Sequence, residues 1–258
     1  MKQVEVSGGS IAFREKGSGP KVLLIHGFPF DHRLWGEVEE QLASDLCLIT
    51  PDLRGRGGSS APALEVNSME LMADDLSVVL ENVGGAPAHV VGHSMGGYVA
   101  LALAERYPGM VASLTMVASK SGPDTEAGKE GRNNTIAGVN ANGRQWLGTQ
   151  LLSKLLAPDA SPGVVAKART MIEDTPYEAI IGDLAGMRDR PDRTSVFNGL
   201  AVPKLVVMGE NDSLMPASDG ESMAAAAQAR FVLVPGRAHL LPIEDPAAVA
   251  EAVRGLTS

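Results

Sequence analysis

Ser94 stands between Gly92 and Gly96 in the stretch Val90-Val91-Gly92-His93-Ser94-Met95-Gly96-Gly97-Tyr98. A hydroxyl between two glycines is either an ordinary turn or a nucleophile mounted on a turn too tight for larger neighbours. Glycine lacks the Cβ that would clash where the chain reverses sharply around a strained residue. A phosphate-binding glycine loop is the weaker alternative, because the lysine it requires is missing at the expected place. A serine hydroxyl is a poor nucleophile near neutral pH and needs a base. The chain has five histidines. His239 lies just past a strand-like run, at its carboxyl end, where an imidazole could meet Ser94. His93 adjoins Ser94, but neighbours on a tight turn point apart, so packing behind the turn is expected of it. His26 is expected to hold its loop by hydrogen bonds, and His89 to begin a strand. His32 either touches substrate or faces solvent. The base needs an orienting carboxylate in turn, and Glu210 and Asp212 both follow the apolar run 204–208.

These groups need rigid elements to carry them. Val22 to Ile25 and Cys47 to Thr50 are continuous apolar runs, as in strands buried on both faces. Val4 to Val6 and Ile11 to Phe13 form a short alternating pair joined by Gly8-Gly9, and Leu34 to Leu42 suits an amphipathic helix. Met72, Leu76, Val79, Leu80 and Val83 recur at helical spacing, with Asn67 as cap and Glu70 reaching back to it. Strand His89 to Val91, the glycine-serine turn and helix Tyr98 to Tyr107 follow, then strand Val111 to Ala118. This context strengthens the G-x-S-x-G signal. The helix N-terminus also leaves the Met95 N–H free to stabilise negative charge. Alternation resumes with strand Lys204 to Met208, helix Ser218 to Ala229, strand Phe231 to Val234 and helix Ala247 to Leu256. The pattern predicts an α/β protein with a mostly parallel sheet covered on both faces. Residues 121–199 break it with helical patches such as Trp146 to Leu156 and Val164 to Ile172, and form one insertion.

Five stretches carry a wider resemblance: His26-Gly27-Phe28-Pro29, Asp52 to Ser59, Gly92 to Gly96, Gly209-Glu210-Asn211-Asp212 and Gly236-Arg237-Ala238-His239. Their order and spacing resemble the α/β-hydrolase fold family over nearly the whole chain. The sub-group contains small serine esterases, enol-lactonases and cofactor-free perhydrolase-type enzymes. The resemblance implies a core of residues 1–120 and 200–258, with residues 121–199 as a helical cap inserted after the sixth strand. It implies a triad of Ser94, Asp212 and His239, with Asp212 favoured over Glu210 by its match to the family. Some relatives take the acid from just after the sixth strand; Met116-Val117-Ala118-Ser119 offers none there. The backbone N–H groups of Met95 and Phe28 would form the oxyanion hole, each such donor contributing ~3 kcal/mol in comparable enzymes. The Phe28 ring would wall the pocket, with His32, Trp146, Leu147 and Leu151 as further lining candidates. Asp52 to Ser59 would brace the site, with Arg54 paired to a carboxylate. Met187 to Arg193 would be a solvated or self-paired cap edge.

The activity implied is hydrolysis of small to medium carboxylic esters through an acyl-enzyme, without metal or organic cofactor. A 3-oxoadipate enol-lactonase-like lactonase, a C–C bond hydrolase or a perhydrolase would reuse the same residues. A non-catalytic small-molecule receptor is a further class. Dehalogenases and epoxide hydrolases of this family carry aspartate where this chain has Ser94, which disfavours them. The formal net charge of -9 and the lack of a basic stripe argue against nucleic acid or an anionic membrane as partner. The single cysteine, Cys47, lies in an apolar run and is expected to be an inert buried residue. No apolar run reaches the ~18 residues of a membrane span. Met1-Lys2-Gln3-Val4-Glu5-Val6 has no apolar signal core, and a cytoplasmic enzyme acting on a small molecule is the expectation.

Overall fold

A computed structural model describes residues 1–257. Eight strands among these residues form one sheet: β1 (Lys2–Val6), β2 (Gly9–Lys16), β3 (Lys21–Ile25), β4 (Cys47–Pro51), β5 (Ala88–His93), β6 (Val111–Val117), β7 (Lys204–Gly209) and β8 (Arg230–Val234). The spatial order is β1-β2-β4-β3-β5-β6-β7-β8. β1 and β2 form an antiparallel hairpin, β2 runs antiparallel to β4, and every other pair is parallel. The protein is therefore an α/β fold with a mostly parallel sheet. Its central strands are buried along their length, as their unbroken apolar runs require.

The helices are α1 (Gly36–Leu42), α2 (Met69–Asn82), α3 (Met95–Arg106), α4 (Glu126–Asn142), α5 (Arg144–Leu155), α6 (Pro162–Asp174), α7 (Tyr177–Asp189), α8 (Thr194–Gly199), α9 (Ala217–Ala226), α10 (Leu241–Glu244) and α11 (Pro246–Thr257). None of the described helices is long and apolar enough to cross a membrane. α4 to α8 form a helical insertion between β6 and β7. After β3 the chain adds β4 on one side and β5 on the other. This creates a switch point where the loops leaving β3 and β5 face the same crevice, the usual place for a ligand in such sheets.

Local details depart from the sequence pattern in two places. The cap of α2 is Ser68, whose hydroxyl accepts from the Leu71 N–H at 3.1 Å, rather than Asn67. The Asn67 amide is drawn elsewhere: it accepts from the Leu64 N–H and donates to Asp183 of α7, both at 2.9 Å. The run Met187 to Arg193 is only partly a self-paired edge. Arg188 and Asp189 pair with each other, but Arg190 and Arg193 are buried. Arg190 reaches Asp124, and Arg193 reaches Glu70 of α2 and Glu105 of α3. These arginines tie the insertion to itself and to the core.

Candidate active site

Ser94 sits between the end of β5 and the start of α3, with φ 51° and ψ -115°. Positive φ is strained for a residue with a Cβ and persists only where the surroundings enforce it. Three hydrogen bonds enforce it here. The Ser94 N–H donates to Val117 O at 2.9 Å, while Ser94 O accepts from Gly97 N at 2.9 Å and from the Ser119 hydroxyl at 2.8 Å. The two glycines are steric necessities. A Cβ on Gly92 would stand 2.4 Å from Gly96 O, and one on Gly96 would stand 2.3 Å from Ile25 O.

The β3 loop approaches as closely. A Cβ on Gly27 would meet His93 Nδ1 at 2.5 Å and Ser94 Cβ at 3.1 Å, a requirement the sequence pattern did not announce. This contact brings Phe28 beside the turn, where it lines a cavity shared with Ser94 and His239. Met95 opens α3, so its N–H lacks an intrahelical acceptor.

His239 and Asp212 lie after β8 and β7. His239 Nδ1 is 2.7 Å from Asp212 Oδ2. A carboxylate only accepts, so the proton of this contact sits on Nδ1, and in the neutral tautomer this leaves Nε2 as the acceptor. The other Asp212 oxygen accepts from the Leu214 and Met215 N–H groups at 2.9 Å each, which fixes the carboxylate. Glu210 instead caps the turn at Gly236, accepting from its N–H at 2.8 Å.

The remaining histidines divide as their surroundings dictate. His93 donates from Nε2 to the main-chain oxygen of His239 at 2.9 Å, and the two rings meet edge-on with centroids 5.1 Å apart. Burial, reinforced by His239, pushes His93 down to about 3. His26 is driven down to about 4 by burial and by Arg56; it accepts from Leu53 N–H at 3.1 Å while its Nδ1 bonds Gly27 O. Both are neutral structural braces. His89 bonds Ser113 at 2.8 Å at the start of β5.

Three lining candidates lie elsewhere. His32 is held away from the cavity by Asp52, 2.7 Å from its Nδ1, and that hydrogen bond raises its pKa. Leu147 is fully buried in the apolar core, and Trp146 packs over Gly138 of α4 rather than lining the cavity. The apolar stripe of α5 serves helix packing here, since α5 packs against α4 and α6. Phe28 and Leu151 do line the cavity. Its volume is about 390 Å³, and much of its wall comes from the insertion. The sequence pattern missed Tyr98, Lys120, Asp124 and Arg132. Only the place of Lys120, just past the carboxyl end of β6, was a signal.

Asp31, His32 and Asp52 bring three metal-capable atoms within 4.8 Å of one another. Asp31 is already engaged by Arg33, and Asp52 by His32 and the Gly58 N–H. Arg54 forms a buried two-point pair with Asp75 at 2.8 Å per contact, bracing the loop above α2.

The model of the alpha/beta hydrolase family matches residues 22–252. The chain belongs to the alpha/beta hydrolase family. It is 34% identical to a thermophilic esterase from Thermogutta terrifontis, solved with malate bound, with a TM-score of 0.94 over 99% of this chain and 97% of that one. It is 30% identical to the dihydrolipoyllysine-residue acetyltransferase component of the acetoin cleaving system of Pseudomonas putida, over 94% of this chain. The match covers only 65% of that protein's length. It is also 25% identical to the 2-(acetamidomethylene)succinate hydrolase of Mesorhizobium japonicum, over 98% of this chain and 93% of that protein. Of these three relatives, two are named as an esterase and a hydrolase and the third as an acetyltransferase component.

Proposed function

We propose that this alpha/beta hydrolase is a serine carboxylesterase working through an acyl-enzyme in the cytoplasm. The observation that carries the reading is the hydrogen-bonded His239–Asp212 pair sharing one cavity with Ser94, itself held in a strained turn. Ser94 Oγ attacks the ester carbonyl carbon and gives its proton to His239 Nε2. Asp212 holds the imidazole in the required tautomer and stabilises its cation. The Met95 and Phe28 N–H groups receive the developing oxyanion. The alcohol leaves with the proton from His239. Water then attacks the acyl-enzyme, passes a proton to His239 and releases the acid, and the proton returns to Ser94. Residues 121–199 act as the cap over this site, and residues 1–120 and 200–258 as its core.

The test is hydrolysis of p-nitrophenyl esters from acetyl to dodecanoyl by the wild type and by Ser94→Ala. Expected is turnover that drops by roughly 10⁴-fold or more in the variant while the fold is kept. Turnover retained in a clean variant preparation would sink the reading.

A further inference from the structure

The cavity beside Ser94 is not uniformly apolar. Leu151, Leu155, Leu214 and Met215 line it, and so do Lys120, Arg132 and Lys154, with Asp124 as the only carboxylate among the lining residues. Asp124 is heavily claimed. Its Oδ1 takes Arg190 at 2.9 Å and Lys120 at 3.4 Å, and its Oδ2 takes Arg132 Nε at 3.0 Å. Burial would raise this carboxyl, but Arg190 and Arg132 outweigh that and hold it at about 2.

One negative charge thus serves three cations. Arg190 is the most engaged of them, although its Nε is buried without a partner among the described residues: it is 2% exposed as a side chain, bonds two main-chain oxygens and lies over the Tyr98 ring, 3.9 Å from its centroid. Lys120 and Arg132 are not. Lys120 reaches Asp124 only at 3.4 Å, and its ammonium is pushed toward deprotonation by burial and then by Arg190. Arg132 uses Nε alone, leaving the rest of its fork for a second acceptor. Lys154 is exposed on α5 and makes no ion pair among the described residues. Tyr98 lines the same cavity, and its hydroxyl is buried without a hydrogen-bond partner among the described residues.

Two cations that share one carboxylate with a buried arginine, in a partly desolvated wall, leave positive charge that a ligand can use. Tying the insertion together accounts for Arg190, but not for Lys120, Arg132 and Lys154 in a chain whose formal net charge is -9. We propose that Lys120, Arg132 and Lys154 bind a carboxylate carried by the substrate in addition to its ester. The substrate class is then an ester with a free acid a few carbons from the scissile bond, such as a half-ester of a dicarboxylic acid. This rests on the esterase reading for its substrate, though not for the anion site itself.

Two pairs matched in chain length test it by acid release in a pH-stat. Monobutyl glutarate is compared with butyl pentanoate, and 4-acetoxybutanoate with butyl acetate; each pair exchanges a carboxylate for a methyl group. At least one charged ester should exceed its neutral partner in kcat/KM by roughly tenfold or more, the scale of one charge-assisted hydrogen bond. That ratio should fall by a similar factor in Arg132→Gln and in Lys154→Gln. The second variant has no ion pair to lose, so its folding is not at issue. Neutral esters equal to or better than both charged ones, or ratios unmoved by either substitution, would overturn the proposal. Calorimetric binding of glutarate to Ser94→Ala separates the two readings. Glutarate bound there and weakened by Arg132→Gln, with no ester turned over, keeps the anion site and removes the esterase. Esters turned over with no glutarate binding and no charge preference does the reverse.

Discussion

The floor of the cavity is specified by exclusion of volume, and its roof by exclusion of volume together with charge. On the floor, β5, Ser94 and α3 are fixed by exclusion of volume: Gly92, Gly96 and Gly27 have no room for one carbon more. On the roof, volume is excluded too, since a Cβ on Gly138, Gly182 or Gly186 would stand 2.1, 2.3 or 1.9 Å from its nearest neighbour, but charge is added at α4 and α7 through Asp124 with its three cations and Arg56 with the buried Asp183. Steric walls position a nucleophile to within tenths of an ångström. Ion pairs leave spare donors that a substrate can use. On the proposed function, the chemistry then lies in the sterically locked part and the choice of substrate in the part that carries spare charge. The two parts touch at the base: the His239 and Leu240 N–H groups both donate to Leu155 O of α5 at 3.1 Å, while His93 holds the His239 oxygen from the core side.

The largest effect should come from the floor. Asp212→Asn keeps the loop but offers an amide to His239, which favours the wrong imidazole tautomer. Ester turnover should drop roughly 10⁴-fold with little change in KM. A drop of less than tenfold would show that the Asp212–His239 contact does not serve catalysis.

The same division explains what the sequence revealed. The floor was legible because steric demands leave marks on residue identity: glycines at fixed offsets, apolar runs for β3 to β6, a histidine and an aspartate at strand ends. The roof was not. α4 carries Gly128, Gly131, Asn133, Asn134 and Gly138 and buries only Val139, so neither propensity nor periodicity marks it. It is a helix because Thr125 caps it and its neighbours hold it in place. The stripe Trp146, Leu147, Leu151 and Leu155 was visible, but a stripe does not say which of its members face a cavity and which face another helix. Asn67 was misread as a cap because its true partner, Asp183, lies 116 residues further along the chain.

Next in size is a direct contrast of stability. Gly96→Ala forces a Cβ to within 2.3 Å of Ile25 O and 2.7 Å of His26 O, both main-chain atoms that cannot turn aside. The expected cost is about 3 kcal/mol or more, the scale of forced overpacking, seen as a lower denaturation midpoint and lost activity. A variant as stable as the wild type would show that the floor yields more than its geometry implies.

Acid distinguishes the two parts again. His26 and His93 have folded pKa values of about 4 and 3, below their unfolded value of 6.5. As pH falls below 6.5 the unfolded chain takes up these protons and the native state does not, so stability is lost from there down to the folded values. Each histidine contributes a slope of roughly 1.4 kcal/mol per pH unit in that window. His32 acts oppositely: raised by Asp52, its contribution is complete below 6.5 and fades as pH rises through its folded pKa. On the roof, Asp124 is depressed from 3.8 to about 2, so its contribution is lost only below 3.8. Denaturant titrations from pH 7 to 4.5 should show stability falling, and His93→Gln should remove about one proton from the slope. A flat wild-type curve in that range would contradict the neutral, buried state of these rings.

The smallest effect should come from the roof, and its sign is the point. Gly131 lies inside α4, lines the cavity, and would present a new Cβ to open space, with nothing within 4 Å. Alanine there adds no clash and reduces the freedom of the unfolded chain. Gly131→Ala should therefore stabilise the protein by roughly 0.5–1 kcal/mol, where Gly96→Ala destabilises it. The same methyl group intrudes slightly on the cavity, so esters with longer acyl chains should lose a few-fold in kcat/KM while acetyl esters change least. Stabilisation with a changed chain-length profile would show that the roof tolerates volume and reads it in the substrate. Destabilisation like that of Gly96→Ala would mean that α4 is as tightly specified at Gly131 as the floor is at Gly96, and the contrast between the two positions would fail.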